Sequence, residues 1–211
     1  HRMTAIEKGD RLIHANHVRL NVKLLPLFQG RADIEGVEVY GLKLDTKSYI
    51  SDTHIVGTAQ ELTASAHGVD WQKEIVNVNH VKLRNADVNV VLSDTAQKDT
   101  TQSKAKWNIG VAKADIENSK VHLQMPGDSM RIFANIGKAA LRGGIFDIRK
   151  NYYAVKRFNL QRSAANYDLP YKQPVSGMDV NHLALTHLSA RIDTLSYNAD
   201  GVLRVGVRNL T

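Results

Sequence analysis

The sequence predicts an all-β protein, built as an elongated antiparallel sheet with one apolar face. Three observations carry this reading. Apolar and polar residues alternate in run after run, and a period of two places successive side chains on opposite faces of a strand. The runs are bounded by glycine, proline, asparagine and aspartate, the residues that tight turns favour. Aromatic residues make up only 6% of the chain, little for a compact β core, where large rings normally fill the centre.

The clearest run is Val18-Arg19-Leu20-Asn21-Val22-Lys23-Leu24. It sets Val18, Leu20, Val22 and Leu24 on one face. Pro26 has no N–H for a ladder and ends this strand or places it at an edge. Upstream, 1–17 carry weak signals: a turn at Gly9-Asp10 and an edge strand at Leu12-Ile13. Downstream, Gly30-Arg31 signals a turn, and Val37, Val39, Leu42 and Leu44 form the next strand. The phase slips at Gly41, as at a bulge or bend. Residues 51–68 include helix formers, but Leu62, Ala64 and Ala66 alternate between β-like flanks. Strand is therefore the expectation there, followed by a turn at 69–73.

Ile75, Val76, Val78, Val81 and Leu83 lead to a clean alternation of Ala86, Val88, Val90 and Leu92. The polar stretch 93–106 reads as a long loop. Trp107 restarts the β pattern, and Ile109, Val111 and Ile116 precede Val121, Leu123 and Met125. Pro126-Gly127-Asp128-Ser129 has the composition of a tight turn. Met130, Ile132, Ala134 and Ile136 then form the other arm of a hairpin. Gly143-Gly144 and Arg149-Lys150-Asn151 read as turns, with Ile145 and Phe146 between them and Tyr153, Val155 and Phe158 after them. Residues 166–177 hold two of the four prolines and read as a loop. Leu183 and Leu185, then Leu188, Ala190, Ile192, Leu195 and Tyr197, read as a strand pair. A hairpin turn at 198–201 leads to Leu203, Val205 and Val207.

An internal similarity runs through these segments. A short apolar element, then one or two small polar residues, then an alternating strand recurs at Leu83-Arg84-Asn85-Ala86-Asp87-Val88, Ile116-Glu117-Asn118-Ser119-Lys120-Val121, Leu160-Gln161-Arg162-Ser163-Ala164-Ala165 and Leu185-Thr186-His187-Leu188-Ser189-Ala190. The irregular spacing makes this a degenerate β repeat rather than a strict solenoid code.

Composition narrows the function. The 211 residues suffice for one or two domains. The chain has no cysteine, which excludes disulfides, thiolate metal sites and cysteine nucleophiles. Lys and Arg exceed Asp and Glu by 28 to 21, for a net charge of +7; this suits an anionic surface or a solubilising surface charge. No segment approaches the ~18 consecutive apolar residues of a membrane span. The opening HRMTAIEKGD is not a natural start and reads as the beginning of a fragment, with room for a membrane anchor before it.

No constellation for chemistry emerges. His14 and His17 are three apart, and His182 and His187 five apart, spacings that a regular strand sends to opposite faces; no metal site or cofactor is expected. Ser103-Lys104-Ala105-Lys106 fits an acyl-enzyme motif but lies in a polar stretch without its companions. Gly137-Lys138 lacks the rest of a phosphate loop. Asn209-Leu210-Thr211 is a bare glycosylation sequon. Asp87 and Asp115 are scattered on polar faces, with no pair placed for acid–base work. Tyr152-Tyr153, near Arg149, Lys150, Lys156 and Arg157, is the one candidate for a nucleic-acid contact. A charged edge strand explains it as well, and no nucleic-acid partner is expected. The chain is read as non-enzymatic.

What remains is the apolar stripe, and an antiparallel sheet with one apolar face must cover it. Two sheets can pack as a sandwich, one sheet can close into a barrel, or a long sheet can curl into a trough around something else. Low aromatic content and recurrent small and aliphatic residues lean toward the trough. The alternation itself does not separate groove from core.

VRLNVKLLPLFQGRADIEGVEVYGLKLD resembles the opening repeat of the AsmA-like superfamily: an alternating strand, a Leu-Pro-Leu segment, a Gly/Arg turn and a second strand. WNIGVAKADIENSKVHLQMPGD is similar to a later repeat, and LRNADVNVVLSDTAQKDTTQ to the segment before it. In this order they look most like the amino-terminal periplasmic part of the TamB family (translocation and assembly module inner-membrane component), in its Bacteroidota form. The resemblance implies one elongated hydrophobic groove (a β-taco) over 1–211, subdivided weakly at the 93–106 and 166–177 loops. It implies a periplasmic location, with anchoring in the inner membrane through an amino-terminal helix outside this sequence. It implies a conduit for phospholipids between inner and outer membranes, supporting outer-membrane biogenesis, with an outer-membrane barrel partner of the TamA type met through a region outside this sequence. The alternative is a structural module that assists outer-membrane protein assembly by β-edge docking. The resemblance carries no catalytic residue. It carries lipid contact only as a face, to which the stripe contributes Val18, Leu20, Val22, Leu24, Val37 and Val39; Ala86, Val88, Val90 and Leu92; Val121, Leu123, Met125, Ile132, Ala134 and Ile136; Leu188, Ala190 and Ile192; and Leu203, Val205 and Val207.

Overall fold

The computed structural model describes residues 1–23, 33–47, 53–70, 73–92, 108–126, 129–147, 150, 152–170, 179, 181–198 and 200–211. They form ten strands: β1 (Met3–Glu7), β2 (Asp10–Lys23), β3 (Asp33–Asp45), β4 (Thr53–Asp70), β5 (Ile75–Leu92), β6 (Asn108–Met125), β7 (Met130–Asp147), β8 (Tyr152–Asp168), β9 (His182–Tyr197) and β10 (Leu203–Leu210). All ten belong to one sheet in sequence order, β1 to β10, and the sheet does not close on itself. The protein is all-β.

Pairing is antiparallel throughout except at β5–β6, which is parallel. This corrects the expectation of a purely antiparallel sheet. The pairing runs from Ile75 with Asn108 to Val91 with Gln124 without a register shift, so Leu92 and Asn108 sit at opposite ends of the pair. A parallel pair needs a crossover of a dozen or more residues, and 93–107 has that length. The consequence is that two of the similar hexads lie side by side in register: Leu83 beside Ile116, and Val88 beside Val121.

Several segments read as two elements are single long strands. Residues 75–92, 108–125, 130–147 and 182–197 each form one continuous strand. The Gly143-Gly144 turn is not made: both residues lie inside β7, and Gly143 adopts φ 67. A Cβ there would press on the Lys156 side chain of β8. Leu12-Ile13 lies inside β2, and the edge strand is the short β1. Residues 53–70 are strand, so the turn after them begins later than expected, and β8 extends to Asp168, into the segment read as a loop. At the β6–β7 hairpin Ser129 N–H donates to the Pro126 carbonyl at 3.1 Å, and at the β9–β10 hairpin Gly201 N–H donates to the Asn198 carbonyl at 3.0 Å. The expectations at Leu24, Pro26, Gly30-Arg31, 93–106, Trp107 and Arg149 lie outside the described residues.

One line across the sheet explains the long strands. Gly41, Asn85, Asn118, Arg162 and His187 all have positive φ, between 46 and 62. Each of the last four is the third residue of its hexad. A residue in the left-handed region inside a strand turns the following side chain back to the side that alternation would have left. Apolar spacing becomes three at that point, as from Leu83 to Ala86 and from Ile116 to Ser119. Neighbouring strands slip together. Asn16 stands between the pairs Ala15–Leu42 and His17–Tyr40 opposite Gly41, Gln60 lies opposite Asn85, and Gly137 lies opposite Asn118. From β2 to β8 the register is preserved across this line while the face is kept; between β8 and β9 it shifts at Ser163. Glycine and asparagine tolerate the left-handed region well; at Gly41, moreover, a Cβ would meet the Asn16 side chain.

Small residues flank this line. Ala15, Ala59, Ala86, Ser119, Ala139 and Ser163 are each 5% exposed or less. Two serines repair the interrupted ladder in the same way. Ser119 Oγ accepts from Ala86 N–H at 3.2 Å and donates to the Glu117 carbonyl at 2.8 Å. Ser163 Oγ accepts from Gly137 N–H at 3.2 Å and donates to the Gln161 carbonyl at 2.9 Å. Backbone groups in buried positions need such partners. Local departures of this kind bend strands and increase their twist. Aligned over most of the sheet, they mark one line, called the crease, that divides each long strand into two segments.

Candidate functional site: the apolar face

Residues directly opposite each other in a ladder share a face, so the register alone shows where the apolar stripe goes. Val18 pairs with Val39 and Leu20 with Val37. Leu62 faces Val39 and Ala64 faces Val37 on the next strand. Ala59 pairs with Ala86, and Ile55 with Val90. Val88 pairs with Val121 and Val90 with Leu123 across the parallel step. Val121, Leu123 and Met125 pair with Ala134, Ile132 and Met130, and Ile136 pairs with Ser119. Ala134 continues to Ala165. Leu188, Ala190 and Ile192 pair with Ser163, Leu160 and Phe158, and Leu203, Val205 and Val207 with Tyr197, Leu195 and Ile192. Val22 faces Ile34, and Leu92 keeps the phase of Val88 and Val90. The stripe residues read from sequence thus lie on one continuous face from β2 to β10, apart from Leu24, which is outside the described residues.

The face is larger than the stripe. Leu83 and Ile116 join it, as do Leu141, Phe146, Tyr153 and Phe158. Tyr153 and Tyr197 stack at a centroid distance of 6.3 Å at one end of the strands. These residues lie beyond a phase slip, and only the unequal spacing three–two–two in the sequence signals that they continue the same face.

No second layer covers this face among the described residues: the strands form one sheet and no helix is present. The solvent-accessible area is 14505 Å² for 23.5 kDa. A compact monomer of that mass exposes about 9800 Å². Among the described residues the buried hydrophobic set consists of Ala15, Ala59, Ala86, Ala139 and Val155, mostly residues of the crease. Exposure rises toward β10, with Leu203 61% and Val207 57% exposed.

The opposite face is polar and laced by cross-strand ion pairs. Glu61 takes Lys82 at 3.1 Å and Arg84 at 3.4 Å, and Arg84 reaches Glu117 at 3.2 Å. Asp115 takes His80 at 2.6 Å and Arg142 at 2.8 Å. Burial pushes the Asp115 carboxyl up, but the hydrogen bonds from Arg142 and His80 outweigh it and hold the group below its ordinary range. At the β3–β4 end, Asp45 accepts from Lys47 at 2.6 Å and lies 2.9 Å from His54 Nε2. The Lys47 bond and then the His54 bond lower its pKa from 3.8 to about 2. A depressed carboxylate contributes stability that is complete above its unfolded pKa and lost as the pH falls through the folded one. Acid unfolding between pH 3.8 and about 2 is therefore expected to be shallower in Asp45→Asn than in the parent, as followed by circular dichroism.

The first histidine pair corrects the expectation of opposite faces. The slip at Asn16 returns His14 and His17 to the same polar face, where His14 Nδ1 lies 3.0 Å from Thr4 Oγ1 and His17 packs on Tyr40. His182 Nδ1 lies 3.0 Å from Asp179. Among the described residues no three His, Cys, Asp or Glu side chains converge, and no helix is long and apolar enough to cross a membrane. No family model and no curated protein matches the chain.

Proposed function

We propose that the chain is a non-enzymatic lipid-binding conduit of the AsmA-like kind, its sheet curled about the crease into a groove whose apolar face holds acyl chains. The observation that carries this is the continuity of that face across a sheet with no covering layer among the described residues. Ten strands at about 4.8 Å spacing give a track roughly 43 Å long. Each acyl methylene moved from water onto it contributes ~0.8 kcal/mol. Aliphatic side chains without fixed polar groups hold chains of different length and head group, which suits transfer rather than storage. The resemblance to the TamB family extends the proposal to phospholipid movement across the periplasm from an inner-membrane anchor toward a TamA-type barrel, in support of outer-membrane biogenesis. Mass spectrometry of an organic extract of the purified chain is expected to return phospholipid in near-stoichiometric amount; a lipid-free extract from folded protein overturns the proposal.

One observation favours a second reading, assembly by β-edge docking. Every residue of β10 is exposed, and an unpaired edge of this length is a template for another strand. Crosslinking to nascent outer-membrane strands, with no lipid recovered, would select it.

A further inference from the structure

The basic excess is not spread over the sheet. Before Asn108 the described residues carry ten Lys and Arg against ten Asp and Glu, and after Asp168 three against three. From Asn108 to Asp168 they carry nine against four. The excess therefore sits on β6, β7 and β8. On the polar face there, Lys113 stands directly opposite Arg142, and Arg142 directly opposite Arg157. Lys138, four residues along β7 from Arg142 and nearer the crease, pairs with Gln161. Lys113, Lys138, Lys156 and Arg157 are exposed and form no ion pair with a described residue. Asp115 neutralises Arg142, and Glu117 is engaged by Arg84. Like charges placed directly opposite each other weaken a sheet, so this arrangement does not serve the fold.

We propose that the polar face of β6–β8 docks on an anionic lipid surface. The patch is three strands wide and continuous, and its charge is complementary to phosphate head groups spread in a plane. The polar-face rings of these strands stand apart from the row Lys113, Arg142 and Arg157: Phe133 packs on His122 at 4.6 Å beyond the crease, and Tyr152 lies at the first residue of β8; single-stranded nucleic acid is held by rings interleaved with the cations, on which bases stack. Lysine predominates over arginine on its exposed part, as suits diffuse attraction to many phosphates rather than bidentate capture of one. The patch lies on the face opposite the apolar track and does not rest on the conduit reading.

The test is co-sedimentation of the purified chain with vesicles of phosphatidylcholine alone and with about 30% phosphatidylglycerol, at low and high salt. Binding is expected only with phosphatidylglycerol, and to fall about tenfold or more as added salt shortens the Debye length. Lys113→Gln/Lys138→Gln/Arg157→Gln is expected to lose about a hundredfold in affinity, with an unchanged circular dichroism spectrum. Removing the same charge elsewhere, in Arg2→Gln/Arg11→Gln/Lys43→Gln, is expected to cost less than a tenth of that. Equal losses in the two triple variants would reduce the effect to net charge and overturn the patch. Equal binding to both vesicle types would assign membrane contact to the apolar face and overturn it too, as would retention of an oligonucleotide without vesicle binding. If the triple variant misfolds, the single variants with the salt series decide by the same criteria.

Discussion

Val90→Asp combined with Leu123→Glu is expected to purify folded and free of lipid. The two side chains are direct neighbours across the parallel β5–β6 step, on the apolar face and in the middle of the sheet. In a sealed core the two carboxylates would be buried without partners, at a cost of several kcal/mol, and the domain would be lost. On an open track they remain within reach of water, and the loss of stability is expected to stay near 1–2 kcal/mol, within the usual range for a point substitution. What they abolish is the continuity of the track for an acyl chain. Urea denaturation gives the stability and lipid mass spectrometry gives the occupancy. A large drop in the unfolding midpoint with no bound lipid in the parent would identify the face as an ordinary core.

Ser119→Val is expected to destabilise the chain by about 3 kcal/mol or more, and Ser119→Ala by about 1–2 kcal/mol. The alanine variant removes the hydroxyl that accepts from Ala86 N–H and leaves that buried donor unmatched, a loss of roughly 1–3 kcal/mol. The valine variant adds a second, steric effect. Ser119 is 1% exposed, and its neighbour across the parallel step is Ala86, so extra methyls have no space; overpacking of this kind costs roughly 1–3 kcal/mol. The difference between the variants measures how tightly the crease is packed. Equal, small effects in chemical denaturation would mean that the crease is loosely packed.

Parts of this architecture were legible in the residues themselves. The run from Val18 to Val22, the hairpin at Pro126–Ser129 and the final Leu203-Val205-Val207 alternation are local patterns, each contained within one strand or one turn. The slip at Gly41 was also legible, because glycine in mid-strand is a local anomaly. The same slip at Arg162 and His187 was not: arginine does not favour a positive φ, and histidine, though enriched there, adopts it too rarely to mark a position. There the sequence reading broke a single strand into two, as at Leu185–Leu188. The apolar face was read strand by strand, but its aromatic end at Phe146, Tyr153 and Tyr197 was missed. Those residues come after further slips, where counting by twos loses the face.

The sequence by itself determined the β class and the apolar side of each strand, because both depend on the two-residue period of an extended chain and on nothing farther away. Only the tertiary structure decided that the strands are long, that β5 and β6 run parallel, and that the slips align into a crease. Strand direction and register depend on which segments pair across tens of residues, and valine opposite valine satisfies either direction equally well. The alignment of the crease is likewise collective: one left-handed residue costs a strand its phase, and only when the neighbouring strand slips at the same level is the ladder kept. The repeat of small polar residues seen in the hexads is the local trace of that collective requirement.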